Sequence, residues 1–349
     1  MKKIAIVIAD LELGGGQRVA INLANALAKN YQVTFVIFKD DDIHYQAPGK
    51  LVNLNCPEKN SLIGKALNVF KRAYKLRKLI KKEQFDYVYS FMETANFPVA
   101  MVFPKAAISV HCNPREYSFF ESFLVKRTYS RVKNIIAVSE DVADILRDDY
   151  NLKNVSRIYN PVDVEDIATQ VDQPHQHPKP YIVALGRFHE VKRYDLLIDA
   201  YSQSKMSAEC DLIIVGDGDL RADLEAQVKA LKLANNIHFA GIQNNPFPYL
   251  AGAKFITLSS RTEAFPMVLI EALALQCPIV ATDCPTGPRE IVRHGENGLL
   301  VENENVQAFS KALDQLYYDT ALLNTFKENA IPSIQHLTGD VIAKEWLAL

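Results

Sequence analysis

No apolar run in this 349-residue chain approaches the roughly 20 residues a membrane-spanning helix needs, so no transmembrane segment is expected. The start, Met1-Lys2-Lys3-Ile4, has the charge of a secretory leader. Asp10 and Glu12 interrupt the apolar segment that follows, which reads instead as a buried first strand. Cysteine is sparse. Cys56, Cys112, Cys210, Cys277 and Cys284 are odd in number and scattered, with no C-x-x-C spacing. That argues against a disulfide framework and a zinc site, and for a reducing cytosol. A G-x-G-x-x-G dinucleotide fingerprint is missing, as are internal repeats and low-complexity tracts. No nucleic-acid motif accompanies the basic residues, so nucleic acid is not an expected partner. No carboxylate cluster is convincingly placed for a metal, and no side chain stands out as a covalent nucleophile.

What is present is an ordinary globular composition, 48% hydrophobic and 23% charged, at a length suiting two domains. The formal net charge of −2 hides an asymmetry. Residues 1–165 hold 24 Lys/Arg against 18 Asp/Glu, a net of +6; the remainder holds 15 against 23, a net of −8. A basic half suits an anionic partner.

The chain opens as strand, glycine-rich loop and helix: a β-rich run over 3–9, then Asp10 to Gly16, then a helix from about Gln17 to Lys29. This is how a doubly wound domain begins. Further buried strands are expected at 31–38, 87–91, 106–110, 134–138 and 155–159. The strand at 106–110 ends in His111, where a ligand-facing residue would lie. Ser139 is positioned to cap a helix over 141–149. From Leu62 to Lys82 a helix presents an apolar face of Leu62, Ala66, Val69, Ala73, Leu76 and Ile80. A separate stripe of Lys71, Lys75, Lys78 and Lys82 is joined by Lys65, Arg72, Arg77 and Lys81. Two readings stand: a core helix with a solvated basic face, or a helix near an anionic membrane that guides a lipid-pyrophosphate acceptor.

Residues 166–180, polar and holding Pro174, Pro178 and Pro180, read as a linker, with His175 and His177 structural. The expected organisation is therefore 1–165, a linker, 181–330, and a terminal segment 331–349. The second domain restarts with a strand over 181–185, followed by Gly186-Arg187-Phe188-His189-Glu190-Val191-Lys192. Arg187 and Lys192 are cations able to neutralise a diphosphate. Asp217-x-Asp219 follows another strand and reads as a turn, with Asp219 capping the helix from Leu220, and not as a metal-binding pair.

The most informative stretch is 257–301. A strand ends at Ser259, a polar loop follows through Glu263-Ala264-Phe265-Pro266, and Pro266 opens a helix carrying Glu271. A short buried strand from Pro278 then leads to Gly287-Pro288-Arg289-Glu290 and Gly295-Glu296-Asn297-Gly298-Leu299-Leu300-Val301. Two glutamates eight positions apart, the Pro-led strand, the glycine loop with a glutamate and the G-x-x-G-x-L-V ending resemble the nucleotide-sugar site of glycosyltransferase family 4, the retaining group 1 type. Two places where that family usually has glycine hold Ala264 and Gln276. Ala264 is a small change unless φ is positive; Gln276 asks for a helix ending less dependent on the left-handed cap.

The resemblance covers nearly the whole chain. It implies two Rossmann-like α/β domains facing across a cleft, with the C-terminal helix returning to the first. It implies donor contacts at Gly15, Gly16, Arg187, Lys192, Glu263, Ala264, Phe265, Pro266 and Glu271, and a reacting centre with His111 and Glu263. The expected activity is retaining transfer from a nucleoside-diphosphate sugar, a UDP-hexose or UDP-N-acetylhexosamine, to a glycan or lipid-linked glycan in cell-surface polysaccharide assembly. No metal or other cofactor is expected, and the expected location is the cytoplasm, at the inner face of its membrane. A nucleotide-sugar epimerase of similar architecture and a non-catalytic donor-binding subunit are the alternatives.

Overall fold

The computed structural model describes residues 1–59 and 61–349. It divides the chain into two compact units, Met1–Val162 with Leu337–Leu349, and Asp163–His336.

The first unit is built on seven strands: β1 (Lys3–Val7), β2 (Gln32–Ile37), β3 (Lys50–Asn53), β4 (Tyr87–Phe91), β5 (Ala107–Val110), β6 (Asn134–Ala137) and β7 (Val155–Arg157). All pairings are parallel, in the order β3-β2-β1-β4-β5-β6-β7. Crossover helices flank a sheet whose inner strands are almost wholly buried, so sequences such as KIAIV and QVTFVI run apolar on both faces. β3 has no counterpart among the expected strands. Its four residues, KLVN, form a part-exposed edge and carry too short a pattern to read.

The terminal helix Gly339–Leu347 belongs to this unit. Lys29 pairs with Asp340 at 2.7 Å. Trp346 is buried, its ring stacked on Phe91 at 5.5 Å between centroids, and the Tyr89 hydroxyl donates to its carbonyl at 3.0 Å.

The second unit has six parallel strands: β8 (Tyr181–Leu185), β9 (Asp211–Val215), β10 (Ile237–Gly241), β11 (Ile256–Leu258), β12 (Ile279–Thr282) and β13 (Gly298–Val301), in the order β10-β9-β8-β11-β12-β13. The expected linker over 166–180 is corrected in part. Asp163 accepts from the Asp166 N–H and caps a helix Val164–Thr169, and only residues 170–180 of the expected linker lack helix or strand. An Asp cap with Glu165 and Asp166 in the first turn suits a helix N-terminus, and this local signal outweighs the polar composition. A helix runs Thr320–Ile334, through Pro332. Among the described residues no helix is long and apolar enough to cross a membrane.

Candidate active site

In a doubly wound sheet, ligands collect where the strand order reverses, beyond the carboxyl ends of the two strands that flank the reversal. In the second unit those strands are β8 and β11. The loop after β8 carries Arg187 and Lys192, and the loop after β11 carries Glu263, Ala264, Phe265 and Pro266. Six expected donor residues therefore share one edge.

Hydrogen bonds join the two loops. The Arg261 N–H donates to the Val191 carbonyl at 2.7 Å, and the Ser259 hydroxyl donates to the Lys192 carbonyl at 2.9 Å. Lys192 Nζ lies 2.6 Å from Glu263 Oε1, which also accepts from the Ser260 hydroxyl at 2.6 Å. The Glu263 side chain is 10% exposed and that of Lys192 29%. A charge pair this sheltered is poorly screened, so its two members are held ready at fixed positions. Burial and the Glu263 charge together push the neighbouring Tyr194 hydroxyl far above the usual tyrosine range.

Arg187 is placed differently. Its exposed side chain pairs at 3.2 Å with Asp219, also exposed, an arrangement worth little and easily exchanged for an anion. This corrects the reading of Asp219 as a cap: the helix is Arg221–Ala230, with Leu220 at the cap position and no side-chain cap bond. Asp217 closes the turn instead, accepting from the Gly218 N–H at 2.7 Å and from Arg221 at 2.9 Å.

Pro266 stands one place earlier than expected, at the cap of the helix Met267–Ala274. Glu271 is buried in that helix, only 6% exposed. The loop after β12 reaches back to Ala264. At Gly287, φ is +86° and an added Cβ would lie 2.5 Å from the Ala264 carbonyl oxygen, so only glycine fits. Gln276 does not escape the left-handed helix ending; it adopts it, at φ 53°. The Thr286 hydroxyl oxygen is buried and has no partner among the described residues. A buried orphan hydroxyl costs free energy unless something meets it, so Thr286 joins the candidate site. No sequence pattern marked it, because threonine in a loop is ordinary.

In the first unit the order reverses between β1 and β4. Gly15 and Gly16 open the helix Gly15–Ala28 and are helical, not loop, residues. A Cβ on Gly16 would meet the Met92 sulfur at 2.8 Å, so the glycine lets the helix N-terminus sit against the end of β4. His111 follows β5. Its Nε2 is buried without a partner among the described residues, and burial lowers its pKa to about 4, so the ring is neutral near pH 7. Beside it, burial raises the pKa of Glu93; this carboxylate accepts from the Tyr117 hydroxyl and, at 3.4 Å, from the Cys112 thiol. Glu93 was missed in the sequence, although it lies just past a strand end as His111 does.

The helix Leu62–Glu83 also departs from its expected stripe. Arg72 is buried, donating to the Cys56 carbonyl at 2.9 and 3.0 Å, and Lys75 donates to the Leu54 carbonyl at 2.6 Å. Lys71, Arg77, Lys78, Lys81 and Lys82 remain exposed. So do Leu67, Phe70 and Tyr74 on the same helix and Phe119, Phe120 and Phe123 on Phe119–Thr128. A cavity of about 270 Å³ is lined by Lys65, Asn68, Arg72, Glu93, Phe120 and Leu124, among others.

Comparison with known proteins bears on the family and the fold. Residues 13–166 fit the Glycosyltransferase Family 4 model, and residues 166–332 fit Glycosyl transferases group 1. The chain is 29% identical over 347 residues to a Campylobacter jejuni N-acetylgalactosamine-N,N'-diacetylbacillosaminyl-diphospho-undecaprenol 4-alpha-N-acetylgalactosaminyltransferase, covering 95% of this chain and 94% of that one. It is 25% identical to the amylovoran biosynthesis glycosyltransferase AmsD of Erwinia amylovora, with 99% of each chain covered. Among solved structures it resembles Anabaena HepE in complex with UDP-glucose, at TM-score 0.80 and 19% identity over 100% of this chain and 99% of that one. Two parallel sheets with charged loops at a strand-order reversal, and two family models that adjoin at residue 166, lead to one conclusion: the chain belongs to glycosyltransferase family 4, group 1 type, and is a glycosyltransferase.

Proposed function

We propose that the protein transfers a hexose or N-acetylhexosamine from a UDP-linked donor, with retention, to a glycan or lipid-linked glycan in cell-surface polysaccharide assembly. The observation that carries this reading is the Lys192–Glu263 pair at the reversal between β8 and β11. An arriving diphosphate takes Lys192, with Arg187 released from its exposed pair, and Glu263 turns to a hydroxyl of the sugar. Both cations then face the charge that grows on the departing diphosphate. These cations supply that charge compensation, so transfer is expected to need no divalent metal. Glu271 holds the ribose. His111, neutral and unpaired at Nε2, is assigned to the transfer step. Relatives support the substrate class: one is named for a diphospho-undecaprenol acceptor, and a similar fold was solved with UDP-glucose.

The acceptor belongs with the first unit. Exposed Leu67, Phe70 and Tyr74 beside exposed lysines suit a lipid surface carrying anionic headgroups, and the adjoining cavity brings Glu93 to the same region. On this reading the protein works at the inner face of the cytoplasmic membrane.

A panel of UDP-sugars, assayed with and without a polyprenyl-diphosphate-linked glycan, tests the reading. UDP release that depends on the acceptor, with the donor's anomeric configuration kept in the product by NMR, is expected. Conversion of the donor without acceptor would show an epimerase. Tight donor binding without turnover would show a binding subunit, and an inverted product would overturn retention.

A further inference from the structure

Far from the reversal edge, at the amino ends of β9 and β10, three side chains converge. Asp211 opens β9 and His238 is the second residue of β10, while His177 enters from the segment before β8. His177 Nε2 lies 2.8 Å and His238 Nε2 3.3 Å from the same oxygen, Asp211 Oδ2. The three donor atoms all lie within 4.8 Å of one another.

We propose that His177, Asp211 and His238 bind one divalent transition-metal ion of the zinc class, at a site separate from the donor residues. The donor chemistry fits. Two imidazoles and one carboxylate are ligands of borderline softness, suited to zinc, cobalt or nickel and not to calcium or magnesium, which favour oxygen donors. The spacing also fits: bonds of about 2.0–2.2 Å in tetrahedral geometry place ligand atoms roughly 3.3 Å apart. A small outward shift of the Asp211 oxygen therefore admits an ion between that oxygen and the two Nε2 atoms.

The ligands are held in place before any ion arrives. Asp211 and His238 stand on adjacent paired strands. The His177 ring packs edge-on against Tyr181 at 5.7 Å and against His238 at 4.9 Å. Lys179 takes the other Asp211 oxygen at 3.2 Å, leaving Oδ2 as a single-oxygen ligand, as hydrogen bonds from outside a metal site commonly do. Lys179 is 44% exposed at its side chain and can turn to water when the ion adds its charge. Exposure rises from Asp211 at 4% through His177 at 14% to His238 at 39%, so the site opens on one side, where water supplies the fourth ligand.

The test uses the full chain, stripped of metal and titrated with Co²⁺ and then Zn²⁺ near neutral pH. One equivalent should bind with micromolar affinity or better, and the visible cobalt bands should lack thiolate charge-transfer absorption, which excludes the five cysteines. Zinc should displace the cobalt. His238→Ala, at the most exposed ligand, should lower affinity by at least about tenfold, since losing even an outer-shell partner costs that much. Asp211→Asn should do the same, and circular dichroism confirms that each variant is folded. Absence of a stoichiometric site in the parent protein, a thiolate spectrum, or unchanged affinity in folded His238→Ala would overturn the proposal and leave a hydrogen-bonded triad. None of these readouts depends on the transfer reaction.

Discussion

Glu263 and Glu271 are a loop carboxylate already engaged by a cation and a carboxylate buried in a helix, and they should fail differently when changed. A hydrogen bond to a charged group contributes roughly 1.5–3 kcal/mol, or about 10- to 150-fold at ~1.4 kcal/mol per decade. Glu271→Gln should weaken UDP and UDP-sugar alike by that factor in calorimetry. Glu263→Gln should leave UDP affinity nearly unchanged, or raise it by freeing Lys192, while reducing transfer; equal losses of UDP affinity in both variants would refute the division. His111 makes a pH prediction. Its folded pKa is about 4 against an ordinary 6.5, so only the unfolded chain takes up this proton as the pH falls between those values. Stability is therefore lost from about pH 6.5 downward and levels off below about pH 4, a change on the order of 3 kcal/mol from this group. Denaturant melts at about pH 7 and about pH 4.5 should show a larger loss in the parent than in His111→Gln. His111→Ala should also cut turnover with little change in donor affinity.

At the scale of the element, the basic helix Leu62–Glu83 offers the clearest experiment. Each lysine near an anionic bilayer contributes about 1 kcal/mol. Changing Lys71, Lys78 and Lys82 to Glu should abolish co-sedimentation with anionic vesicles at low salt and leave the melting temperature intact, because these three are exposed. Lys75 is left alone because it holds the Leu54 carbonyl. Unchanged sedimentation would leave only a solvated face. This helix also shows where sequence reading stops. Its period and its apolar Ala73 and Leu76 are written locally, but the withdrawal of Arg72 and Lys75 depends on carbonyls at Cys56 and Leu54 that only the fold supplies. The same division holds at the candidate site. Arg187, Lys192 and Glu263 stood out as polar residues just past buried apolar strands, but only the resemblance to glycosyltransferase family 4 marked them as donor contacts. Glu93, Tyr117 and Cys112 come from three separate segments, and no spacing announces their meeting. β3 was invisible because four half-exposed residues carry no period, and Gln276 because a left-handed helix ending usually announces itself through glycine.

At the scale of the whole molecule, transfer in excess EDTA should proceed at the full rate, and a loss restored by Mg²⁺ or Mn²⁺ would show that the cations alone do not suffice. A second expectation concerns the order of the chain. The first unit is discontinuous: it needs Leu337–Leu349, which return after the whole of Asp163–His336. Removing those residues should lower the melting temperature of the first unit and leave that of the second, read by calorimetry. On the ribosome the consequence is a reversal of the usual N-terminal-first sequence. The unit that begins first is completed last, since Trp346 reaches Phe91 only after the intervening unit has emerged and had time to fold. Until then the surface of Tyr89 and Phe91 that will receive it is exposed to solvent and to chaperones. Because Trp346 is the single tryptophan in the sequence, its fluorescence times that final step without an added label.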